Sequence, residues 1–160
     1  MAERFSACEL VEIAVQIEKN GMDYYFALAE KSDNTEMRLI FEYLAREEEK
    51  HIDIFKKVSR DSCDYQPKEV YPDEYFAYLK ALASQYIFTK EKAGRDIAEK
   101  VKDYKEGIDL GIQFEKDSIL FYEEMQKMVP EKDKRTVEAL ILEEKKHLRK
   151  LCDLKGGCKE

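Results

Sequence analysis

The chain contains two histidines, and each closes the same frame, Glu48-x-x-His51 and Glu144-x-x-His147. About thirty residues upstream of each frame stands another glutamate in a matching setting, Glu18 in Gln-Ile-Glu-Lys (16–19) and Glu115 in Gln-Phe-Glu-Lys (113–116). On a helix, residues three apart project from the same side, so one frame offers a carboxylate and an imidazole to one region of space. One Glu from each of two helices and Glu-x-x-His from each of two others make the ligand set of a carboxylate-bridged two-metal centre. The charges agree, because four carboxylates with two neutral imidazoles balance two divalent cations. Hard carboxylate oxygens with imidazole nitrogens suit Fe(II), and would also suit Mn(II) or Zn(II). Two such ions side by side can together bind and reduce O2 or peroxide.

A lone Glu-x-x-His is more often an exposed pair than a set of ligands. With about one residue in seven being Glu, both histidines would carry Glu at i−3 by chance on the order of 2% of the time. The residues around the six donors lower that further. In steps of three and four, the first stripe reads Val11, Ala14, Glu18, Gly21, Tyr25, Leu28, and the second Met37, Ile40, Leu44, Glu48, His51, Phe55, Val58. The third reads Ile108, Gly111, Glu115, Ser118, Tyr122, Met125, and the fourth Val137, Leu140, Glu144, His147, Leu151, Leu154. Each is an apolar or small helical face interrupted near its middle by ionisable groups. A bare buried carboxylate costs roughly several kcal/mol unless paired or metal-bound, so six such groups at matching heights call for a common cation.

The elements that must carry these stripes are well marked. Ser6-x-x-Glu9 and Asp33-x-x-Glu36 read as capping boxes opening helices at about 7–31 and 35–59. Asp103-x-x-Glu106 opens a third helix that ends before Pro130, and Asp133 caps a fourth that Gly156-Gly157 stops. The connection at about 60–102 begins irregularly near Gln66-Pro67 and Tyr71-Pro72, then carries a short helix at about 73–85, with Gly94 weakening the remainder. Two helical hairpins, about 7–59 and 103–155, flanking one long crossover predict an all-α four-helix bundle forming a single domain over 1–160. The hairpins repeat each other. Gln16, Glu18, Lys19 and Tyr25 recur as Gln113, Glu115, Lys116 and Tyr122, while Glu47, Glu48, Lys50 and His51 recur as Glu143, Glu144, Lys146 and His147. An internal duplication of this kind predicts a pseudo-twofold axis through the metal centre.

Composition narrows the class. At 160 residues with 39% charged and 44% apolar residues, three prolines and six glycines, the chain suits one helical domain with a real core. A net charge of −7 with Lys and Glu closely alternating argues against coating nucleic acid. No apolar run reaches membrane-spanning length and the N-terminus lacks a signal-peptide pattern, so the cytoplasm is the expected compartment. The four cysteines, Cys8, Cys63, Cys152 and Cys158, form no Cys-x-x-Cys pair, which excludes an encoded zinc ribbon or rubredoxin-type iron site. Cys152 and Cys158 could pair; the favoured reading is two separate thiols, and no disulfide framework is expected in a helical chain of this size.

Positions along the stripes suggest supporting roles. Tyr25 and Tyr122 lie two turns beyond Glu18 and Glu115, so their hydroxyls could hydrogen-bond metal-bound carboxylates and orient them, or could reach the bundle end as core aromatics. Gly21 and Ser118, one turn beyond the glutamates, could leave room for a dioxygen-sized molecule or allow close helix packing. The aromatics Tyr71, Tyr75, Phe76, Tyr78, Tyr86 and Phe88 are expected to pack the crossover on the bundle or form a dimer contact.

Glu18, Glu48-Glu49-Lys50-His51, Glu115 and Glu144-Lys145-Lys146-His147 resemble the di-iron signature of the ferritin-like superfamily, and the spacing and long crossover are most similar to the rubrerythrin branch. The resemblance spans nearly the whole chain. It implies a ferritin-like bundle holding two iron ions, with Glu18 and Glu115 among the bridging ligands and Glu48, His51, Glu144 and His147 completing the two coordination spheres. It also implies reduction of hydrogen peroxide or O2 in oxidative-stress defence, with a homodimer expected. Two departures stand out. No rubredoxin-like Cys-x-x-Cys pairs follow residue 147, so electrons would come from an external donor such as rubredoxin. Where rubrerythrins proper carry a further glutamate one turn from the third-helix ligand, this chain has Gly111, Ile112, Ser118 and Ile119. A six-ligand centre is nearer the ferroxidase-like or oxidase-like type, which keeps Fe(II) oxidation with iron handling as the alternative, followed by a non-catalytic metal-binding bundle.

Overall fold

Ser6 begins the first helix by a reciprocal cap. Its hydroxyl accepts the Glu9 N–H at 3.2 Å while the Glu9 carboxylate accepts the Ser6 N–H at 2.7 Å. The computed structural model describes residues 5–85 and 93–156, and among them every regular element is helical. These are α1 (Ala7–Lys31), α2 (Thr35–Ser62), α3 (Asp73–Gln85), α4 (Ala93–Lys100), α5 (Tyr104–Met125) and α6 (Glu131–Lys155). No helix among the described residues is long and apolar enough to cross a membrane.

Helix starts depart from the expected frames in two places. Asn34, not Asp33, caps α2, its Oδ1 accepting the Met37 N–H at 3.0 Å. In α6 the N-cap is Pro130, and Asp133 sits in the first turn with its N–H on the Pro130 carbonyl at 2.8 Å. The fixed φ of proline orders the chain for a helix that starts there, so no side-chain cap is used. Asp103 caps α5 as expected, accepting the Glu106 N–H at 2.8 Å, although Glu106 reaches back to the N–H of Lys102. Gly156 ends α6 at φ 79°, a left-handed conformation that glycine takes without a Cβ penalty.

α1 packs on α2 and α5 on α6; α1 also meets α5 and α2 meets α6, closing the expected four-helix bundle. Tyr24, Tyr25, Phe41, Phe55, Phe114, Phe121 and Tyr122 are fully buried between the helices. The crossover holds two helices where one was expected. α3 lies on α5, with Phe76 and Leu79 buried and the Tyr75 hydroxyl donating to the Glu124 carbonyl at 3.2 Å. α4 lies on α1 through Gly94, where a Cβ would stand 1.9 Å from the Asn20 carbonyl oxygen. Gly94 therefore weakens the helix locally but is what lets it dock, and tertiary contact outweighs propensity. Lys31 fastens the far end, donating to the Ala98 and Val101 carbonyls at 2.9 Å each, where the end of a helix attracts a cation. Tyr86 and Phe88 of the expected crossover cluster lie outside the described residues.

One disulfide, and no wider framework, is present among the described residues. Cys8 at the start of α1 and Cys63 at the end of α2 are joined, Sγ to Sγ at 2.05 Å, because the hairpin returns the chain to its starting end. Cys158 lies outside the described residues, so the Cys152–Cys158 pairing does not arise among them.

Candidate metal centre

The stripes turn inward as expected. Glu18 from α1, Glu48 and His51 from α2, Glu115 from α5, and Glu144 and His147 from α6 are all buried, none more than 2% exposed. They form two overlapping groups with donor atoms within 4.8 Å of one another: Glu18, Glu48, His51 and Glu144 in one, and Glu48, Glu115, Glu144 and His147 in the other. Glu48 and Glu144 belong to both groups, whereas Glu18 and Glu115 each belong to one. By distance alone, the carboxylates of the Glu-x-x-His frames lie nearest the middle of the cluster, where the resemblance put Glu18 and Glu115 among the bridging ligands. α2 and α6 each bring two donors to the cluster, and α1 and α5 one each.

The contacts run both within and between the hairpins. His51 Nδ1 lies 2.8 Å from Glu144 Oε1, 3.5 Å from Glu18 Oε2 and 3.6 Å from Glu48 Oε2. His147 Nδ1 lies 3.1 Å from Glu144 Oε2, 3.3 Å from Glu48 Oε1 and 4.0 Å from Glu115 Oε1. The two imidazole rings stack at 5.5 Å with 17° between their planes. Both tyrosines settle on the supporting role, and each holds the carboxylate of the opposite hairpin. Tyr25 Oη donates to Glu115 Oε1 at 2.5 Å, and Tyr122 Oη donates to Glu18 Oε1. Burial, followed by the charges of Glu115 and Glu48, holds the Tyr25 hydroxyl well above its ordinary pKa, so it remains a donor.

Electrostatics divide the four carboxyls into two pairs. Burial, then the charges of Glu48 and Glu144, hold Glu18 and Glu115 well above the usual carboxylate range. Burial would raise Glu48 too, but contact with the protonated Glu18 and with both imidazoles brings it below. Burial and the Glu48 charge would raise Glu144, and the two imidazoles outweigh them and lower it. For the histidines burial alone would lower the pKa. The Glu144 charge and carboxylate contacts push His51 far up instead, and contacts with Glu144 and Glu48 push His147 up to about 12.

That arrangement leaves much unsatisfied. Glu18 Oε2, both oxygens of Glu48, Glu115 Oε2, Glu144 Oε1 and His51 Nδ1 are buried with no aligned hydrogen-bond partner. Several of these atoms are near an imidazole in distance yet off the hydrogen-bond direction. An unpartnered buried oxygen is costly, and here the unpartnered atoms converge on one another. The tyrosines take one oxygen each of Glu18 and Glu115 and leave Oε2 for the centre. Cations satisfy such a set without further donors, and oxygen–imidazole donors suit a divalent transition metal. The residues fit the group that their types imply.

Around the centre the structure chooses between the two expectations for Gly21. A Cβ there would lie 2.5 Å from Phe114 Cζ, so the space serves close packing of α1 on α5 and is filled by an aromatic ring. Ser118 is buried with its Oγ unpartnered. Two glutamates that the reading noted only as part of the repeat, Glu47 and Glu143, stand with His147 in a further group at the edge of the cluster. Their signal was the spacing of four to each histidine. Tyr43, edge-on to the His147 ring at 6.3 Å, gave no signal of its own.

Comparison with known proteins agrees with this geometry. The family model described as Rubrerythrin matches residues 9–155. A crystal structure from Thermotoga maritima, described as a candidate ferritin-like diiron-carboxylate protein, superposes with a TM-score of 0.70 at 27% identity, covering 99% of this chain and 100% of that one. No curated protein sequence gives a significant match.

Proposed function

Because the chain belongs to the rubrerythrin family, we propose that its buried cluster holds two iron ions and reduces hydrogen peroxide or O2, with electrons from an external donor such as rubredoxin, in oxidative-stress defence. The observation that carries this reading is the pair of overlapping donor groups sharing Glu48 and Glu144. Two ions bound there supply electrons in pairs, which is what cleavage of an O–O bond requires.

The chain's own residues do the rest. Glu48 and Glu144 would be shared by both ions, while Glu18 with His51 and Glu115 with His147 would complete one position each. Tyr25 and Tyr122 fix the Glu115 and Glu18 carboxylates from the opposite hairpin, so neither can swing freely as charge changes in the centre. Phe41, Phe55, Phe114 and Leu44 are fully buried and keep bulk water from entering along the bundle core.

One observation favours the competing reading, Fe(II) oxidation without peroxide turnover. The two overlapping donor groups hold four carboxylates between them and no fifth, and buried Gly111 and Ser118 flank Glu115 on α5. Anaerobic Fe(II) loading, desalting and elemental analysis come first, and two irons per chain support the centre while no retained metal overturns it. Repeated cycles of peroxide oxidation and re-reduction then support the peroxidase. Oxidation that stops after one turnover in the presence of a reductant leaves the ferroxidase.

A further inference from the structure

Glu47 and Glu143 occupy matching places in the duplicated hairpins, each one residue before a cluster glutamate and four before a cluster histidine. That spacing puts each carboxylate on the histidine side of its helix. Across the α2–α6 seam they come together with His147, one donor atom from each residue lying within 4.8 Å of the others.

The His147 ring gives an independent sign that this group awaits a ligand. Its Nδ1 faces Glu144, Glu48 and Glu115, whereas its Nε2 is buried and has no hydrogen-bond partner. The residue itself is 1% exposed. Solvent reaches the seam through a groove of about 460 Å³ whose lining includes Glu47, Lys50, His51, Arg135, Leu140 and Glu143. His51 in that lining means that the groove touches the buried cluster.

Lys50 and Lys146 pair with the two glutamates, and their side chains are 67% and 66% exposed against 15% and 36% for Glu47 and Glu143. Exposed pairs three residues apart contribute at most about 1 kcal/mol, so a divalent cation can displace the ammonium groups. A neutral imidazole has one lone pair. His147 can therefore hold an outer cation or an inner one at a given moment, which suits passage and not storage.

We propose that Glu47, Glu143 and His147 form an outer divalent-metal site at the α2–α6 seam through which Fe(II) enters the buried centre. This rests on the reading that the cluster binds metal, and it assigns the entry route to a named pair of carboxylates.

The test uses metal-free full-length protein mixed with Co(II), followed by the rise of cobalt visible absorbance in stopped flow and by calorimetric titration. In the Glu47→Gln/Glu143→Gln double variant, loading is expected to slow at least tenfold and a weak additional equivalent of cobalt to disappear. The Lys50→Ala/Lys146→Ala double variant, which frees both carboxylates, is expected to load faster than wild type, an effect that mere damage to the fold does not produce. Loading rates equal to wild type in both variants overturn the entry site. A wild-type chain that never retains cobalt overturns the reading of the centre itself, and with it this one. The two failures are distinct because the first leaves the amplitude intact.

Discussion

The first hairpin turns through 32–34 and is tied at its open end by Cys8–Cys63, with α4 clamped along α1 by Gly94 and Lys31. The second turns through 126–130, ends at Gly156 and carries α3 on α5 through Tyr75. Their bracing has little in common. Their donors nevertheless sit in matching environments, with Glu18 and Glu115 raised, Glu48 and Glu144 lowered, and both imidazoles raised. Contacts between the hairpins join the two sets, alongside contacts within each, such as His147 with Glu144 at 3.1 Å. His51 is nearest Glu144, Tyr25 holds Glu115, and Tyr122 holds Glu18. The two donor sets share their environment through contacts at the centre, while the outer supports of the two hairpins differ.

The strongest way to break this comparison is to remove one donor from each half. Glu115→Ala, His147→Ala and His51→Ala are each expected to lose bound metal while helical content, read by far-ultraviolet circular dichroism, survives. Retention of two metals per chain in any of them would refute the ligand assignment.

Proton release sharpens it next. In metal-free protein burial raises the pKa values of Glu18 and Glu115, and neighbouring carboxylates raise those of His51 and His147, so each holds its proton to higher pH than the free group. Metal binding expels those protons, so affinity rises with pH and metal is released as pH falls, about tenfold per pH unit for each proton lost. Calorimetry in buffers of different ionisation enthalpy counts the protons, and a count near zero contradicts the assigned states.

The bracing should respond on one side only. Cys8→Ser is expected to destabilise the oxidised protein by about 4 kcal/mol, the chain-entropy value for a loop of this span, measured by urea unfolding with and without reductant. Equal midpoints for variant and wild type under oxidising conditions would show that the bond contributes nothing. Gly94→Ala should cost about 3 kcal/mol, since backbone and not a yielding side chain occupies the space. A neutral result there would mean that α4 does not depend on its contact with Asn20.

The smallest expected effect is the most symmetric. Tyr25→Phe and Tyr122→Phe each remove one buried hydrogen bond to a carboxyl and should cost about 1–2 kcal/mol apiece. Unequal costs in the metal-free protein would mean that the two halves are not equivalent at the centre.

Much of this was legible from local spacing. The six donors, the four inward stripes and the long helices follow from residues three and four apart, and such neighbours are set by the helix itself. Helix starts are less sharply encoded: α2 is capped by Asn34, beside the expected Asp33, and α6 by Pro130, three residues before the expected Asp133. Order along the chain says nothing about which carboxylate stands nearest the middle of the cluster, and only the structure places Glu48 and Glu144 in both donor groups.

What the sequence determined by itself is therefore the donor set and the faces that carry it. Only the tertiary structure decided the crossed tyrosine bonds, the Phe114 ring over Gly21, the Cys8–Cys63 link, the docking of α4 and the meeting of Glu47 with Glu143. Each of these depends on the axial register and rotation of one helix against another. Those are set by the packing of many side chains at once, and no single motif encodes them.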